Sequence, residues 1–272
     1  MSPSPSSQPF DFSGSIVRKY DQYSGPLFFE PYAIEVASRI DSSSIGYAVE
    51  LASGTGRVTR HLRKALRPEA RLIASDISAD MLAVAREKLE EERIEWQMIN
   101  AEQLPFEDNS VDLLVCCFGY MFVSDKVRAF AEAFRVLKPG SMLILTTWDK
   151  LESLGASQTY RKIVKKYLTE KLPESFNLPY SMCEEAEIKQ LLRHAGFSKI
   201  SIERVAKLAE SPTALDATIA LSQGGPIYNE IMKRNPAWYD EIKVTLEREL
   251  SEKYGVAPMI APMSAIVSQA WK

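Results

Sequence analysis

Apolar runs of strand length alternate with stretches of helical periodicity between about residues 45 and 147. In the stretches between the runs, apolar residues recur every three or four positions, as Val58, Leu62 and Leu66 do. This alternation predicts an α/β fold in which crossover helices join the strands of a mostly parallel sheet. The strands predicted for this part of the chain are residues 47–51, 71–75, 94–99, 111–118 and 141–147.

The N-terminal part of the chain is predicted to lie outside this sheet. Residues 1–14 begin with a Ser- and Pro-rich stretch without an apolar segment, and we expect a disordered leader there. Residues 16–23 and 27–40 predict two aromatic-rich helices that can form a lid. We expect a single domain over residues 15–272. Its parts are lid helices at 15–44, a core at 45–210 and 255–272, and a helical substrate cap at 211–254.

The C-terminal part of the chain adds helices and two more strands. Ser181 and Glu184 have the spacing of a capping box and predict the start of a helix that ends at Gly196. Residues 199–207 then predict a strand, and residues 264–271 predict the last one. The complete prediction is a Rossmann-like, seven-stranded, mostly parallel sheet with N-terminal helices and a helical insertion before the last strand.

The charge balance of the chain argues against two classes of partner. The 272 residues include 33 basic and 36 acidic ones, so the net charge is −3. This value argues against binding of nucleic acid or of an anionic membrane by bulk electrostatics. The longest apolar stretch, residues 111–123, is too short to span a bilayer. We expect a cytoplasmic monomer or homodimer that acts on a small-molecule substrate, without nucleic acid and without membrane insertion.

Cysteine and histidine are too few and too scattered for a metal centre. None of the three cysteines, Cys116, Cys117 and Cys183, belongs to a C-x-x-C motif. The only histidines are His61 and His194, which we expect to have structural roles. We therefore predict no metal site and a reducing compartment.

The stretch with the clearest chemistry is a predicted strand that breaks into a turn of small residues and then a helix. Gly54 and Gly56, with Ala52, let the backbone approach a ligand, and the following helix presents free N–H groups. Glu50 and Asp76 stand at the ends of the first two predicted strands. Each carboxylate also has a structural interpretation, an ion pair for Glu50 and a helix cap for Asp76, and the turn can serve close packing alone.

Two cofactors are compatible with a strand–turn–helix unit of this kind. A nicotinamide dinucleotide site requires G-x-G-x-x-G, but no third glycine follows Gly54 and Gly56. A pyrophosphate would also be repelled by Glu50, two residues before the turn. S-adenosylmethionine, with an ammonium, a carboxylate and a ribose, suits a combination of two acids and bare amides. The spacing therefore favours S-adenosylmethionine over a dinucleotide.

Five segments in a fixed order extend this interpretation to a protein family. They are VELASGTGRVT at 49–59, SDIS at 75–78, NAEQLPF at 100–106, VDLLVCCFG at 111–119 and RVLKPG at 135–140. With these segments the chain resembles the class I S-adenosylmethionine-dependent methyltransferases. The likeness is greatest to the small-molecule branch that includes the ubiquinone/menaquinone C-methyltransferases.

The resemblance implies a role for each matched position. Glu50 and the turn would hold the methionine end, Asp76 the ribose hydroxyls, and Asn100 the edge of the adenine. The cofactor-binding residues that it implies are Glu50, Ala52, Ser53, Gly54, Thr55, Gly56, Asp76, Ile77, Met81, Asn100, Ala101, Glu102, Cys117 and Phe118. Two positions depart from the family pattern: Ala52 replaces the usual glycine, and Asn100 replaces the more common aspartate.

The resemblance implies transfer of a methyl group by in-line displacement. Such a reaction depends mainly on positioning, and no residue is assigned a catalytic role. The largely apolar residues of the 211–254 segment predict that the acceptor is a small hydrophobic or aromatic molecule. Tyr20, Tyr120 and Trp148 are candidates for binding the acceptor. The alternatives are a regulator that binds S-adenosylmethionine without catalysis and, less favoured, a nicotinamide-dependent oxidoreductase. The basic run from Arg57 to Arg71 shares a helix with apolar residues and is interpreted as a solvated face rather than an RNA site.

Overall fold

The computed structural model describes residues 15–168, 176–223 and 226–272. Its strands are β1 Tyr47–Leu51, β2 Arg71–Asp76, β3 Glu95–Met98, β4 Val111–Cys117, β5 Leu137–Trp148, β6 Lys199–Ser211 and β7 Met259–Trp271. They form one sheet in the order β3-β2-β1-β4-β5-β7-β6, in which only β7 runs antiparallel to its neighbours. The predicted fold class, a Rossmann-like sheet that is mostly parallel, is confirmed.

Ten α-helices are found in the described ranges. They are α1 Ser15–Lys19, α2 Glu30–Ser38, α3 Arg57–Ala65, α4 Ala79–Lys88, α5 Lys126–Val136, α6 Gly155–Val164, α7 Glu185–Ala195, α8 Ala214–Gln223, α9 Pro226–Arg234 and α10 Ala237–Tyr254. A π-helix, Tyr20–Phe29, joins α1 to α2. Helix α3 packs against α2, α5 packs against α7, and α8 packs against both α10 and the π-helix.

The strand order places a crevice at one edge of the sheet. Strand β1 pairs in parallel with β2 on one side and with β4 on the other, with Glu50 opposite both Ala74 and Val115. The chain adds β2 and β3 on one side of β1 and then crosses to place β4 and β5 on the other side. The carboxyl ends of β1, β2, β4 and β5 meet at the same edge. In open α/β sheets, ligands bind at the edge where the strand order reverses in this way.

The predicted strands are found within a few residues of their predicted ends, but three of them are longer. Strand β5 begins at Leu137, because Pro139 and Gly140 form an irregularity within the strand rather than ending it, and Gly140 has φ +82°. Strands β6 and β7 continue together past the end of β5, since Ser211 still pairs with Met259. Pairing between two distant segments extends these strands, and local periodicity does not report it.

Two predictions about helix ends are wrong. The two N-terminal helices are one continuous helical segment, because the π-helix runs through Gly25 and Pro26. The capping box does not form: α7 begins after Glu184 without a side-chain cap, and the Ser181 hydroxyl donates to the Met121 carbonyl at 3.1 Å. Gly196 ends α7 as predicted, with φ +112°.

Residues 1–14, which we predict to be a leader, lie outside the described residues. Among the helices of the described ranges, none combines the length and the apolar character needed to cross a bilayer.

Candidate active site

The turn after β1 is built from left-handed backbone. Ala52, Gly54 and Gly56 have φ values of +54°, +55° and +78°. The Ser53 amide donates to the Ser75 carbonyl at 2.8 Å, and this bond ties the turn to the end of β2. A Cβ added at Gly54 would meet nothing within 4 Å, whereas one at Gly56 would lie 3.0 Å from Leu89. Gly54 therefore keeps space open beside the turn, and Gly56 serves close packing.

Ala52 occupies the position where the family usually has glycine. Its methyl group lies beside Gly119, where an added Cβ would be 2.5 Å from the Ala52 Cβ and 2.7 Å from the Cys116 sulfur. The glycine after β4 therefore provides the room that alanine needs in the turn.

Glu50 is a buried carboxylate without a charged partner. Its side chain is at the end of β1, the residue is 1% exposed, and Oε2 has no hydrogen-bond partner within the described residues. Burial raises the pKa of Glu50 to about 8, although the nearby Thr59 hydroxyl opposes the shift, and the Asp76 carboxylate raises it further. The structural alternative for Glu50, an ion pair, is wrong among the residues described. An acid in this position is stabilised in its ionised form by a cation brought by a ligand.

Asp76 ends β2 and holds the turn from the other side. One carboxylate oxygen accepts from the Gly54 amide at 2.8 Å, and the other accepts from the Ser78 amide at 2.9 Å. Burial raises the pKa of Asp76, although these backbone amides act in the opposite direction. The cap of α4 is Ser78, whose hydroxyl accepts from the Met81 amide, so the structural alternative for Asp76 as helix cap is also wrong.

The segment after β3 borders the same edge of the sheet. Asn100 is exposed, and its side-chain oxygen accepts from the Glu102 amide at 2.9 Å. Glu102 accepts from the amides of Ser124 and Asp125, both at 2.9 Å, so its carboxylate holds the loop before α5. Ile77, directly after Asp76, is 51% exposed. The exposed Ile77 side chain offers an apolar surface against which an aromatic ring can pack.

An aromatic cluster lies at the ends of β4 and β5; we define it as Phe28, Phe29, Tyr32, Phe118 and Trp148. Phe118 follows β4 with φ +55° and stacks on Trp148, the last residue of β5, with 4.0 Å between ring centroids. Phe29 lies 5.4 Å from Phe118 and 5.8 Å from Trp148. The N-terminal helices therefore supply three of the five rings of the cluster.

The three predicted acceptor-binding residues do not all meet at this cluster. Tyr20 packs against Phe29 with 5.3 Å between ring centroids. Burial raises the pKa of the Tyr20 hydroxyl, and the nearby Asp76 carboxylate raises it to a smaller extent. Tyr20 and Trp148 are thus joined through Phe29. Tyr120 is fully buried and stacks on Phe130 of α5 at 4.6 Å, in the core on the side of α5.

Two of the residues implied at the cofactor are buried in apolar surroundings. Met81 of α4 packs with Val17 of α1 and borders Tyr20. Cys117 is the last residue of β4, and burial raises the pKa of its thiol well above the usual value. Both side chains are therefore neutral and can offer a cofactor apolar contacts only.

The basic run is a solvated face only in its second half, where Lys64, Arg67 and Arg71 are exposed. For its first half, that interpretation is wrong. Arg57 contacts Asp21 and Glu30, and Arg60 and His61 also contact Glu30. Arg63 is buried and donates to the Ala70 carbonyl at 2.8 Å. The helix carries these charges because the N-terminal segment, far away in sequence, presents acids to them.

No sequence pattern indicated the contacts that join this segment to the turn and to α4. Asp21 accepts from the Thr55 hydroxyl at 2.6 Å and from Lys88 at 2.5 Å. Asp21 and Lys88 are 67 residues apart, and no short motif connects them. The aromatic-rich composition of residues 16–40 is the one signal that indicated a lid.

Comparison with known proteins places this geometry in a family. A model described as a methyltransferase domain matches residues 49–145. A ubiquinone/menaquinone biosynthesis C-methyltransferase UbiE of Haemophilus ducreyi is 30% identical over 208 residues, which cover 69% of this chain and 79% of that protein. The UbiE of Pseudoalteromonas translucida is 34% identical over 157 residues, or 55% of this chain and 62% of that protein.

The chain spans 62% and 53% of the length of two of the curated relatives that it matches, which are 34% and 36% identical to it.

Solved structures share the fold at lower sequence identity. Phosphoethanolamine N-methyltransferase 2 of Haemonchus contortus, in complex with phosphomonomethylethanolamine and S-adenosylhomocysteine, is similar with a TM-score of 0.60 at 18% identity. The match covers 94% of this chain and 56% of that one. The YcgJ protein of Bacillus subtilis has a TM-score of 0.54 at 17% identity, over 89% of this chain and 98% of that one.

The match over the turn, the strand ends and the loop before α5 agrees with the resemblance seen in the five sequence segments. The chain belongs to the class I S-adenosylmethionine-dependent methyltransferases, in the branch of the ubiquinone/menaquinone C-methyltransferases.

Proposed function

We propose that this protein transfers the methyl group of S-adenosylmethionine to a carbon atom of a small hydrophobic or aromatic acceptor. Among such acceptors, a quinone-related ring is the one we favour. The observation that carries the proposal is the buried, unpartnered Glu50 carboxylate at the end of the strand that leads into the turn. The relatives named as C-methyltransferases support the type of reaction and of acceptor.

The chain's own groups fit the cofactor at several points. Glu50 and the buried, unpartnered Ser53 hydroxyl would receive the amino-acid end at the turn. Asp76 would bind the ribose hydroxyls, and the exposed Ile77 would cover one face of the adenine. Asn100 and Ala101 would border the adenine edge, with Met81, Cys117 and Phe118 as apolar walls. Glu102 would act by holding the loop, since its carboxylate binds two backbone amides.

The reaction needs positioning and exclusion of water more than acid or base catalysis. When bound, S-adenosylmethionine supplies an electrophilic methyl group on a sulfonium. The aromatic cluster would shield this region from water and orient a flat acceptor, with Tyr20 and Trp148 bordering it. Holding acceptor and methyl group collinear, about 3 Å apart, supplies several kcal/mol without a proton-transfer group. Tyr120 would support the site from the core.

Binding of S-adenosylhomocysteine, measured by isothermal titration calorimetry, tests the cofactor site. We expect the wild-type protein to bind and the Asp76→Ala variant to lose at least several-fold in affinity, because the ribose loses its acceptor. Glu95→Gln is the matched control, since Glu95 is an exposed acid paired with Arg71 at the opposite end of β2. No binding by the wild-type protein, or equal binding by Asp76→Ala, contradicts the proposal.

Methyl transfer is tested separately with labelled S-adenosylmethionine and reduced quinone-type rings as acceptors. Binding without transfer to any of a broad set of metabolites would favour a regulator that binds S-adenosylmethionine without catalysis. We also propose a cytoplasmic location, supported by the free state of Cys116, Cys117 and Cys183.

A further inference from the structure

Two acids mark the two ends of the π-helix, and both face basic residues of the cofactor side. Asp21 follows Tyr20 at the start of the π-helix, and Glu30 comes directly after its last residue. Asp21 accepts from the Thr55 hydroxyl at 2.6 Å, from Lys88 at 2.5 Å and from Arg57 at 3.3 Å. One carboxylate oxygen thus joins the N-terminal segment to the glycine turn, to α3 and to α4.

Thr55, between the two glycines of the turn, is held through two of its atoms. Its hydroxyl donates to Asp21, and its carbonyl accepts from Lys88 at 3.1 Å. Lys88 also binds Asp21, so the three residues form a closed triangle of hydrogen bonds. Glycine adopts many backbone conformations, so Gly54 and Gly56 leave the turn flexible. The hydrogen bonds that Asp21 and Lys88 form with Thr55, between the two glycines, restrict the conformations of the turn.

Arg57 secures the same segment over its length. It donates to the Asp21 carbonyl at 2.8 Å and to the Glu30 carboxylate at 3.3 Å. Its guanidinium lies against Gly25, where an added side chain would overlap it. Arg57 therefore spans the π-helix from one acid to the other.

These contacts are shielded from water, unlike most surface ion pairs. The side chains of Asp21 and Lys88 are 17% and 30% exposed, whereas those of Arg18 and Glu87, the neighbouring pair between α1 and α4, are 66% and 61% exposed. Burial acts to raise the pKa of Asp21, but the bonds from Lys88 and Thr55 outweigh it and hold the pKa below its usual value. Partly buried, hydrogen-bonded pairs contribute more than exposed ones.

We propose that Asp21 and Lys88 are positioning residues that shape the glycine turn through Thr55 and latch the π-helix over the bound cofactor. Release of S-adenosylhomocysteine then requires this triangle to open. The inference rests on the proposed function, because the turn is taken as the cofactor site. It assigns cofactor retention to an acid and a lysine outside the motifs of the turn.

The test is the dissociation rate of S-adenosylhomocysteine from the full-length protein, measured by stopped-flow displacement. We expect Asp21→Asn and Lys88→Gln each to raise this rate about tenfold, as loss of a charged hydrogen bond does. The double variant should release the product no faster than the faster single variant, since both residues act through one contact.

Glu87→Gln is the matched control, because it removes an exposed ion pair between α1 and α4, next to Lys88 in the chain, without touching the turn. We expect its dissociation rate to stay within about twofold of the wild type. Hydrogen exchange of the amides of residues 20–29, at saturating S-adenosylhomocysteine, should be faster in Asp21→Asn and Lys88→Gln only. This readout reports the latch without reference to activity.

The outcomes separate the latch from the proposed function. If the wild-type protein does not bind S-adenosylhomocysteine, the proposed function fails. If it binds and both single variants release at the wild-type rate, the latch is wrong and the proposed function stands. Lower thermal stability of both variants with unchanged release also overturns the latch, since that result shows a role in folding alone.

Discussion

At the scale of single residues, Glu50 combines complete burial with the absence of a counter-charge among the groups described around it. An acid with a raised pKa favours the folded state in its protonated form. Its contribution to stability is fully present below the unfolded pKa and is lost as the pH rises through the folded value of about 8. Asp76, whose pKa burial also raises, contributes in the same direction.

We therefore expect the free energy of unfolding of the ligand-free protein to fall as the pH rises from about 5 to about 8. The contribution of Glu50 has a slope of up to about 1.4 kcal/mol per pH unit. Urea unfolding of the wild type and of Glu50→Gln, at several pH values, measures it as the difference between the two curves. Parallel curves would contradict a buried, uncompensated Glu50.

The two glycines of the turn are expected to respond differently to alanine. Gly54→Ala places a methyl group in open space, so the stability cost is that of left-handed backbone, about 1–2 kcal/mol. The same methyl group projects beside the turn, and we expect the affinity for S-adenosylhomocysteine to fall about tenfold or more. Gly56→Ala should lose more stability, because its Cβ would lie 3.0 Å from Leu89 and 3.3 Å from Ala85.

Urea unfolding and calorimetric titration of both variants check this difference. Wild-type affinity in Gly54→Ala would show that the cofactor does not use the open side of the turn. Greater destabilisation in Gly54→Ala than in Gly56→Ala would contradict the packing role of Gly56.

At the scale of elements, the π-helix shows how tertiary contacts override local signals. Gly25 and Pro26 break a helical pattern, and the sequence accordingly predicts two separate helices. In the structure, the Ser24 hydroxyl donates to the Ala220 carbonyl of α8 at 3.0 Å, and Arg57 covers Gly25. Contacts with α3 and α8 thus support a helical path through residues with poor intrinsic propensity. Irregular helices of this type are frequent at functional sites.

Helix α3 gives a second example at this scale. Its apolar positions predict the helix and its buried side, and Val58 and Leu62 are indeed buried. The partners of Arg57, Arg60 and His61 are acids on the N-terminal segment. The charge pattern of the helix alone therefore suggested exposure to solvent. The local sequence specifies which side of a helix is apolar and which is charged. Which other element packs against the charged side is known only from the tertiary structure.

At the scale of the whole molecule, the candidate cofactor site gathers residues from the N-terminal helices, from four strand ends and from the loop before α5. A ligand that binds such an assembly in the folded state alone stabilises the whole protein by mass action. At a concentration of 100 times its dissociation constant, the gain is about 2.7 kcal/mol. For a chain of this size we expect S-adenosylhomocysteine to raise the Tm by roughly 5 °C.

Thermal unfolding with and without ligand measures this shift. Nicotinamide dinucleotides at the same concentration should leave the Tm unchanged, because the turn lacks the third glycine of their motif. A shift with a dinucleotide and none with S-adenosylhomocysteine would reverse the choice of cofactor.

The sequence by itself determined the order of the elements, the mostly parallel sheet and the cofactor turn, because hydrophobic periodicity and small-residue turns are local properties. Glu50 and Asp76 could be recognised because strand ends place both acids at one edge. Only the tertiary structure decided which cations face Asp21 and Glu30, that Tyr120 packs in the core, and that rings of the N-terminal helices pack against Trp148. These contacts join segments far apart in the chain, and they depend on how the helices pack rather than on any local pattern.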